Sequence, residues 1–234
     1  MSQPAPIAVA LDAPDLETAA RWADLVTPHV STVKIGLELY LRYGPGVVAS
    51  IRGASGVRIF LDLKLHDIPA TVAGAARAVA RLRPDIVTVH ASAGSEVIRA
   101  AVQAAPDTVI AGVTVLTSLG SADLESIGLR GPVSDAVRRL AVLAVGAGAR
   151  ALVCSPREVA AVRAEVGPAI KLITPGVRPA GADRNDQARV ATPEEALREG
   201  ADLLVIGRPI TGAADPGAAA SAIAAPLRRL APAD

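Results

Sequence analysis

Three charged residues that follow one apolar, strand-like run are the residues of this chain best suited to chemistry. The segment from Ile59 to Val72 contains Asp62, Lys64 and Asp67 and reads IFLDLKLHDIPATV. Alternate side chains of a β-strand lie on one face, so Asp62 and Lys64 are predicted to project together. A carboxylate beside an ammonium can stabilise a developing charge and supply a proton. A helical pattern follows, and the segment therefore predicts a strand, a charged turn and a helix.

Each of these charges also has a purely structural interpretation. Asp62 and Lys64 could form an exposed ion pair at a strand end, and Asp67 could cap a helix that starts near Pro69. The other residues of the strand, however, are typical of a fully buried strand. Charges in such a place are energetically costly unless they are paired or functional. The pattern therefore favours a functional site over a purely structural role.

The motif resembles the signature of orotidine 5'-phosphate decarboxylases. The matching run is Asp62-x-Lys64-x-x-Asp67-Ile68-Pro69-x-Thr71. Its Asp-x-Lys-x-x-Asp core is shared with a wider superfamily of sugar-phosphate decarboxylases and a formaldehyde-fixing aldolase, so the motif alone does not settle the activity. One departure is Ala70, which stands where this family frequently has Asn.

Lys34 discriminates best between these activities. It lies inside an apolar strand pattern, Val33-Lys34-Ile35-Gly36, and could be a lysine whose head reaches water. An inward-facing lysine in a barrel would instead need a carboxylate partner, which Asp62 on the next strand could supply. In the magnesium-dependent relatives the corresponding position resembles a Glu that helps to hold the cation. Lysine here disfavours a metal site.

Composition bounds the class of protein. The chain has 234 residues, of which 51% are hydrophobic and 20% charged, which suits one domain over residues 1–234. The net charge is +1, the basic residues are dispersed and aromatic residues are scarce, so neither a nucleic-acid nor a membrane partner is indicated. Cys154 is the only cysteine, and no targeting segment or long apolar span is evident. We expect a soluble cytoplasmic protein.

Eight apolar runs of strand length alternate with helix-compatible segments. The strand candidates are Ile7 to Leu11, Thr32 to Gly36, Val57 to Leu61, Ile86 to His90, Thr108 to Leu116, Ala149 to Cys154, Ile170 to Thr174 and Leu203 to Gly207. The helix candidates include Leu16 to Val26, Thr71 to Leu82, Val97 to Ala105, Ser134 to Gly146, Pro156 to Val166 and Thr192 to Glu199. Near-continuous apolar strands are typical of a parallel sheet covered on both sides, and the pattern predicts an α/β protein, a single (β/α)8 TIM barrel. A doubly wound open sheet is the alternative, but no Gly-x-Gly-x-x-Gly turn follows the first strand.

In such a barrel the active site lies at the carboxyl ends of the strands, where further candidates fall. Asp12 follows the first strand and could instead cap a helix. Thr117 follows the fifth strand and could belong to a plain hydroxyl-rich turn. Arg178 and Gln187 follow the seventh strand, in a loop that could be merely flexible. Gly207 and Arg208 end the eighth, where a glycine allows close backbone approach and an arginine presents a fork to phosphate oxygens.

The resemblance extends from AVALD near the amino terminus to GRPITGAADP and implies roles for these residues. It implies that Asp12 contacts the ribose hydroxyls and Lys34, that Thr117 reads the pyrimidine ring, and that Gln187, Gly207 and Arg208 bind the phosphate. It further implies a homodimer in which Asp67, with Ile68 and Thr71, reaches the neighbouring subunit's site. No cofactor or metal is required.

The implied reaction converts orotidine 5'-monophosphate to uridine 5'-monophosphate (UMP) and carbon dioxide, the last step of de novo pyrimidine synthesis. We hypothesise that Lys34, Asp62, Lys64 and Asp67 form an array of alternating charge, in which Asp62 disfavours the substrate carboxylate and Lys64 protonates C6.

Three alternatives remain: a magnesium-dependent sugar-phosphate decarboxylase or aldolase, a Schiff-base aldolase using Lys64, and a non-catalytic nucleotide-binding barrel. The histidines, His29, His66 and His90, are left out of the chemistry, and Cys154 is taken as core or rim.

Overall fold

The computed structural model describes residues 3–53, 56–179 and 191–230. Eight parallel strands pair in sequence order and close into a barrel, because the first strand also pairs with the last. The strands are β1 (Ala5–Ala10), β2 (Val30–Gly36), β3 (Arg58–Leu65), β4 (Ile86–His90), β5 (Val109–Val113), β6 (Ala151–Val153), β7 (Lys171–Thr174) and β8 (Leu203–Ile206). The predicted (β/α)8 barrel is therefore confirmed, and the doubly wound alternative is wrong.

Helices surround the barrel and connect its strands. They are α1 (Leu16–Val26), α2 (Leu37–Tyr43), α3 (Gly46–Arg52), α4 (Pro69–Ala80), α5 (Ser95–Ala104), α6 (Ser121–Ser126), α7 (Val133–Gly146), α8 (Val159–Val166), α9 (Pro193–Arg198), α10 (Arg208–Thr211) and α11 (Pro216–Leu227). Short 3-10 turns occupy Ala91–Ala93 and Pro156–Glu158. Within the described ranges, no helix is both long and apolar enough to cross a membrane.

The period-2 alternation of the strands divides the core into two layers. In β3, Ile59, Leu61 and Leu63 pack outward against the helices, whereas Phe60 points into the barrel. The interior layer is built mostly from small and β-branched side chains: Ala8, Phe60, Ile86, Ala111, Ala151, Ile173 and Leu203. Phe60, the only phenylalanine in the sequence, is 1% exposed. Because this interior is packed, a ligand of the barrel is expected at the carboxyl ends of the strands.

Most predicted boundaries differ from the structure by one or a few residues, and three of these differences bear on the site. The fifth strand is Val109–Val113 and not Thr108 to Leu116, because Thr114 turns to bond Val153 with both its N–H and its hydroxyl. Helix α4 begins at Pro69, whose fixed φ suits the first helical position, and ends at Ala80 instead of Leu82. Strand β3 continues to Leu65, so Asp62 and Lys64 lie within it and not beyond its end.

Candidate active site

A cavity of about 280 Å³ opens at the carboxyl ends of the strands. Apolar side chains form its base, while Asp62, Lys64, Thr117 and Ser118 supply polar groups. The complete lining is Phe60, Asp62, Lys64, Val113, Val115, Leu116, Thr117, Ser118, Val153, Cys154, Pro175 and Val205. An apolar pocket with a few convergent polar groups is the usual form of a small-molecule site.

Four charged side chains alternate in sign beside this cavity. The ammonium of Lys64 lies 2.8 Å from Oδ2 of Asp62. The ammonium of Lys34 lies 3.5 Å from that same oxygen and 3.5 Å from Oδ1 of Asp12. The Asp62 side chain is 13% exposed and that of Lys34 9%, so the central pair is largely shielded from water. We call Asp12, Lys34, Asp62 and Lys64 the charge array.

Strand register brings the array together. Because Gly36 of β2 pairs with Asp62 of β3, Lys34 lies one inward-facing position below Gly36 and reaches Asp62 from the neighbouring strand. A Cβ atom at Gly36 would lie 3.0 Å from both Oδ1 of Asp12 and Nζ of Lys34. Glycine at this position therefore leaves the space in which that ion pair forms.

Lys64 and Thr88 depart from regular strand geometry in a coupled way. Leu61 pairs with Val87 and Leu65 pairs with Val89, so three residues of β3 face the single residue Thr88 of β4. Lys64 has φ +49°, in the left-handed region that side chains other than glycine rarely adopt. The Thr88 hydroxyl accepts from the Lys64 N–H at 2.8 Å and donates to Oδ1 of Asp62 at 3.0 Å.

Thr88 was missed by reasoning from the sequence. A threonine is an ordinary strand residue, and Ile86 to His90 reads as a plain apolar strand. The only available signal was a hydroxyl at an inward-facing position two residues before the strand end. That signal gains meaning only once the irregular β3–β4 register is known.

The Asp62 carboxyl remains ionised despite its burial. Burial alone raises the pKa of Asp62, but the charges of Lys34 and Lys64 and the hydrogen bonds from Lys64 and Thr88 outweigh it. The net effect places the pKa below its ordinary value of 3.8. A permanent negative charge thus lies at the edge of the cavity.

Two histidines lie next to the array. The rings of His66 and His90 are 5.1 Å apart between centroids and tilted by 31°. Burial lowers the pKa of His90 from 6.5, and the charges of His66 and Lys64 lower it further, against the opposing effect of Asp62. His90 is accordingly a neutral neighbour of Lys64 near pH 7.

Asp67, Ile68 and Thr71 lie on the surface and do not line the cavity. All three are exposed, and Ile68 is 65% exposed. Asp67 accepts a hydrogen bond from the N–H of Ile68 and forms no ion pair with another described residue. Within one chain it therefore does not join the charge array.

The structural interpretations of the three acidic residues are wrong. Helix α4 has Ile68 as its N-cap and no capping side chain, so Asp67 does not cap it. Helix α1 is capped by Asp15, which accepts from the Thr18 N–H, and not by Asp12. Asp62 is too buried for an exposed ion pair.

The predicted phosphate-binding residues follow the last two strands. Gly207 precedes α10, and Arg208 is exposed at the first position of that helix, three residues beyond Val205 of the cavity lining. Arg178 is buried and donates to the carbonyl of Val177. Gln187 lies outside the described residues.

The arrangement does not suit a cation. The described residues contain no group of three His, Cys, Asp or Glu side chains that could hold a metal ion. The space between the carboxylates of Asp12 and Asp62 contains the ammonium of Lys34, which would repel a cation there. Cys154 is buried and lines the cavity.

Comparisons with known proteins indicate the same family over almost the whole chain. Residues 5–223 match the model of the Orotidine 5'-phosphate decarboxylase / HUMPS family. An orotidine 5'-phosphate decarboxylase of Thermobifida fusca is 73% identical over 225 residues, covering 96% of this chain and 97% of the relative. One from Frankia casuarinae is 61% identical, covering 95% and 88%.

A solved structure gives the same result in three dimensions. The crystal structure of orotidine 5'-phosphate decarboxylase from Lactobacillus acidophilus superposes with a TM-score of 0.82 at 36% identity. The match covers 94% of this chain and 97% of that one.

Proposed function

This chain belongs to the orotidine 5'-phosphate decarboxylase family, and we propose which of its residues carry out the reaction. The enzyme is a carboxy-lyase that converts orotidine 5'-monophosphate to UMP and carbon dioxide, completing UMP biosynthesis. The superfamily's magnesium-dependent sugar-phosphate activities are not favoured. One observation supports the assignment of roles above all others: the Asp62 carboxylate lies between the ammonium groups of Lys34 and Lys64 at the cavity edge.

The reaction is difficult because no group of the substrate accepts the electrons. When the bond between C6 and the carboxylate breaks, its electron pair stays on C6, which has no adjacent electron sink. Rate enhancement by enzymes corresponds to about 8–23 kcal/mol of barrier lowering, and this reaction needs a value in the upper part of that range. Preorganised charges in a site that excludes water provide the largest single contribution of this kind.

Asp62 and Lys64 promote the same step in different ways: Asp62 destabilises the substrate, and Lys64 stabilises the carbanion that forms. The Asp62 carboxylate faces the reacting carboxylate and repels it, which favours loss of carbon dioxide. The Lys64 ammonium stabilises the developing carbanion and then donates a proton to C6, forming the C6–H bond of UMP. Lys34 keeps Asp62 ionised, and Lys64 recovers its proton from water after product release.

The remaining candidates bind the substrate away from C6. Asp12, which is 59% exposed, is available to the ribose hydroxyls as well as to Lys34. Thr117 lines the apolar cavity and contacts the pyrimidine. Gly207, Arg208 and Arg178 are assigned to phosphate binding, and Gln187, outside the described residues, is given the same role on the family resemblance alone. Binding energy from the phosphate then favours a closed state in which the charge array is shielded from water.

We also propose a cytoplasmic homodimer in which the whole chain is one catalytic domain. An open groove of about 760 Å³ next to the site is lined by His66, Asp67, Ile68, Pro69, Ser92, Ala93, Gly94, Ser95, Glu96 and Val97. An exposed apolar Ile68 beside an exposed carboxylate suits contact with a second copy. In that arrangement Asp67, Ile68 and Thr71 complete the neighbouring site.

The decisive experiment follows the ultraviolet absorbance of orotidine 5'-monophosphate after purified protein is added in EDTA. We expect rapid loss of substrate, with UMP as product, because no step uses a metal. Activity that disappears in EDTA and returns with magnesium would contradict the mechanism. No turnover by folded protein under either condition would reject the function. Borohydride trapping of a Lys64 adduct with substrate would instead indicate Schiff-base chemistry.

A further inference from the structure

We propose that Thr88 is a positioning residue for the decarboxylation, acting through Asp62 and Lys64 without touching the substrate. The proposal rests on the proposed function of those two residues. It is carried by the hydrogen bonds that one buried hydroxyl makes to both of them.

The geometry assigns the hydroxyl proton. Thr88 Oγ1 lies 3.0 Å from Oδ1 of Asp62 and 2.8 Å from the backbone nitrogen of Lys64. A hydroxyl has one proton, and an ionised carboxylate only accepts. The proton therefore points to Asp62, while a lone pair of the same oxygen accepts the Lys64 N–H. Thr88 is 0% exposed, so water does not compete for either bond.

The bond to Asp62 fixes the plane of its carboxylate. Oδ2 is held by Lys34 and Lys64, whereas Oδ1 is held by Thr88. Without the hydroxyl, the terminal torsion of the aspartate would lose one of its two anchors, and such torsions have broad minima. The direction in which Asp62 presents its charge would then vary.

The bond to Lys64 replaces a regular strand contact. Between the pairs Leu61–Val87 and Leu65–Val89, β3 has three residues where β4 has one. The ladder is interrupted there, and Lys64 adopts φ +49°. A left-handed backbone conformation is unfavourable for a residue with a side chain, so it must be stabilised locally. The Thr88 hydroxyl offers the Lys64 N–H an acceptor in that conformation and so helps to aim its ammonium.

Thr88 thus couples the two reacting side chains through a single atom. A displacement of about 1 Å in a catalytic group can cost about 100-fold in rate. Removing the hydroxyl should therefore impair the chemical step, while leaving the sites for ribose, pyrimidine and phosphate in place.

The test compares Thr88→Val, Thr88→Ala and Thr88→Ser with the unmodified enzyme. We expect kcat to fall about 10- to 100-fold in the valine and alanine variants. The dissociation constant for UMP, measured by calorimetry, should change less than about threefold, because UMP lacks the reacting carboxylate. Serine keeps the hydroxyl and should restore kcat to within about threefold. If the valine variant does not fold, the alanine variant replaces it in the comparison, because its smaller side chain lets the neighbouring polar groups rearrange.

Thr108→Val is the matched control. Thr108 is 4% exposed and donates to the Pro84 carbonyl at the opposite end of the barrel. The same substitution there should leave kcat unchanged. Equal losses of kcat in Thr88→Ser and Thr88→Ala, or an unchanged kcat in Thr88→Ala, would overturn the proposal.

A crystal structure of the alanine variant separates this proposal from the proposed function. We expect either a rotated Asp62 carboxylate or a Lys64 backbone that has left the left-handed region. An unchanged charge array in that crystal would refute a positioning role. Failure of the unmodified enzyme to consume orotidine 5'-monophosphate would refute the proposed function, and the crystal would still decide whether Thr88 positions the array.

Discussion

The ammonium of Lys64 lies 2.8 Å from the carboxylate of Asp62, and both side chains line one cavity at the carboxyl end of the barrel. The pair is only partly exposed, at 31% for Lys64 and 13% for Asp62. An ion pair of this kind preserves both charges in a site that excludes water.

Replacement of Lys64 with alanine should abolish turnover and preserve nucleotide binding. We expect kcat to fall by more than about 1,000-fold, because the proton donor and the stabilising cation are lost together. Calorimetry should still detect UMP binding. Lys171→Ala, an exposed lysine at the start of β7, is the control and should keep full activity. Near-normal turnover in Lys64→Ala would eliminate its catalytic role.

The lowered pKa of Asp62 predicts a specific dependence of stability on pH. Because the folded pKa lies below the unfolded value of 3.8, the unfolded state binds the proton more readily. The ionised Asp62 therefore contributes stability above the unfolded pKa and loses it as pH falls through the folded pKa. In Asp62→Asn, the free energy of unfolding should fall less between about pH 5 and pH 3 than in the unmodified protein.

Urea denaturation at several pH values measures this difference. Asp107→Asn is a suitable control, since Asp107 is an exposed carboxylate before β5. The same pH slope in Asp62→Asn as in the unmodified protein would show that the array does not hold Asp62 ionised.

Replacement of Arg208 with alanine should reduce kcat/KM with the fold intact. Hydrogen bonds to charged groups contribute about 1.5–3 kcal/mol, which corresponds to a loss of about 10- to 100-fold. Steady-state kinetics and circular dichroism measure the two effects. Arg157→Ala removes another exposed arginine at the same end of the barrel and should leave kcat/KM unchanged. Unaltered kinetics in Arg208→Ala would remove it from the phosphate site.

A mixture of two inactive variants tests whether Asp67 acts in the neighbouring subunit. In a hybrid dimer of Lys64→Ala and Asp67→Ala, one site keeps both residues. Random reassociation should therefore recover about one quarter of the unmodified activity. A mixture of Lys64→Ala and Asp62→Ala should recover none, because both residues belong to one chain's site. No recovery in the first mixture would place Asp67 outside the shared site.

The sequence alone determined the barrel and most of the charged residues of the site. Eight apolar runs separated by helical segments predict parallel strands covered on both sides, since such strands have no polar face. The spacing of Asp62 and Lys64 places both inward, and the structure confirms that they meet. The sequence also predicted that Lys34 pairs with a carboxylate, because an isolated charge in an apolar strand needs a partner.

Only the tertiary structure decided how these groups are held. Thr88 acquires its role from an interrupted β3–β4 ladder, and Lys64 adopts a backbone conformation that regular alternation does not predict. Asp12 reaches Lys34 because β1 pairs with β2 and because a glycine at position 36 leaves room for the contact. Strand register and side-chain clearance arise from contacts between residues distant in sequence. Local periodicity carries no information about them.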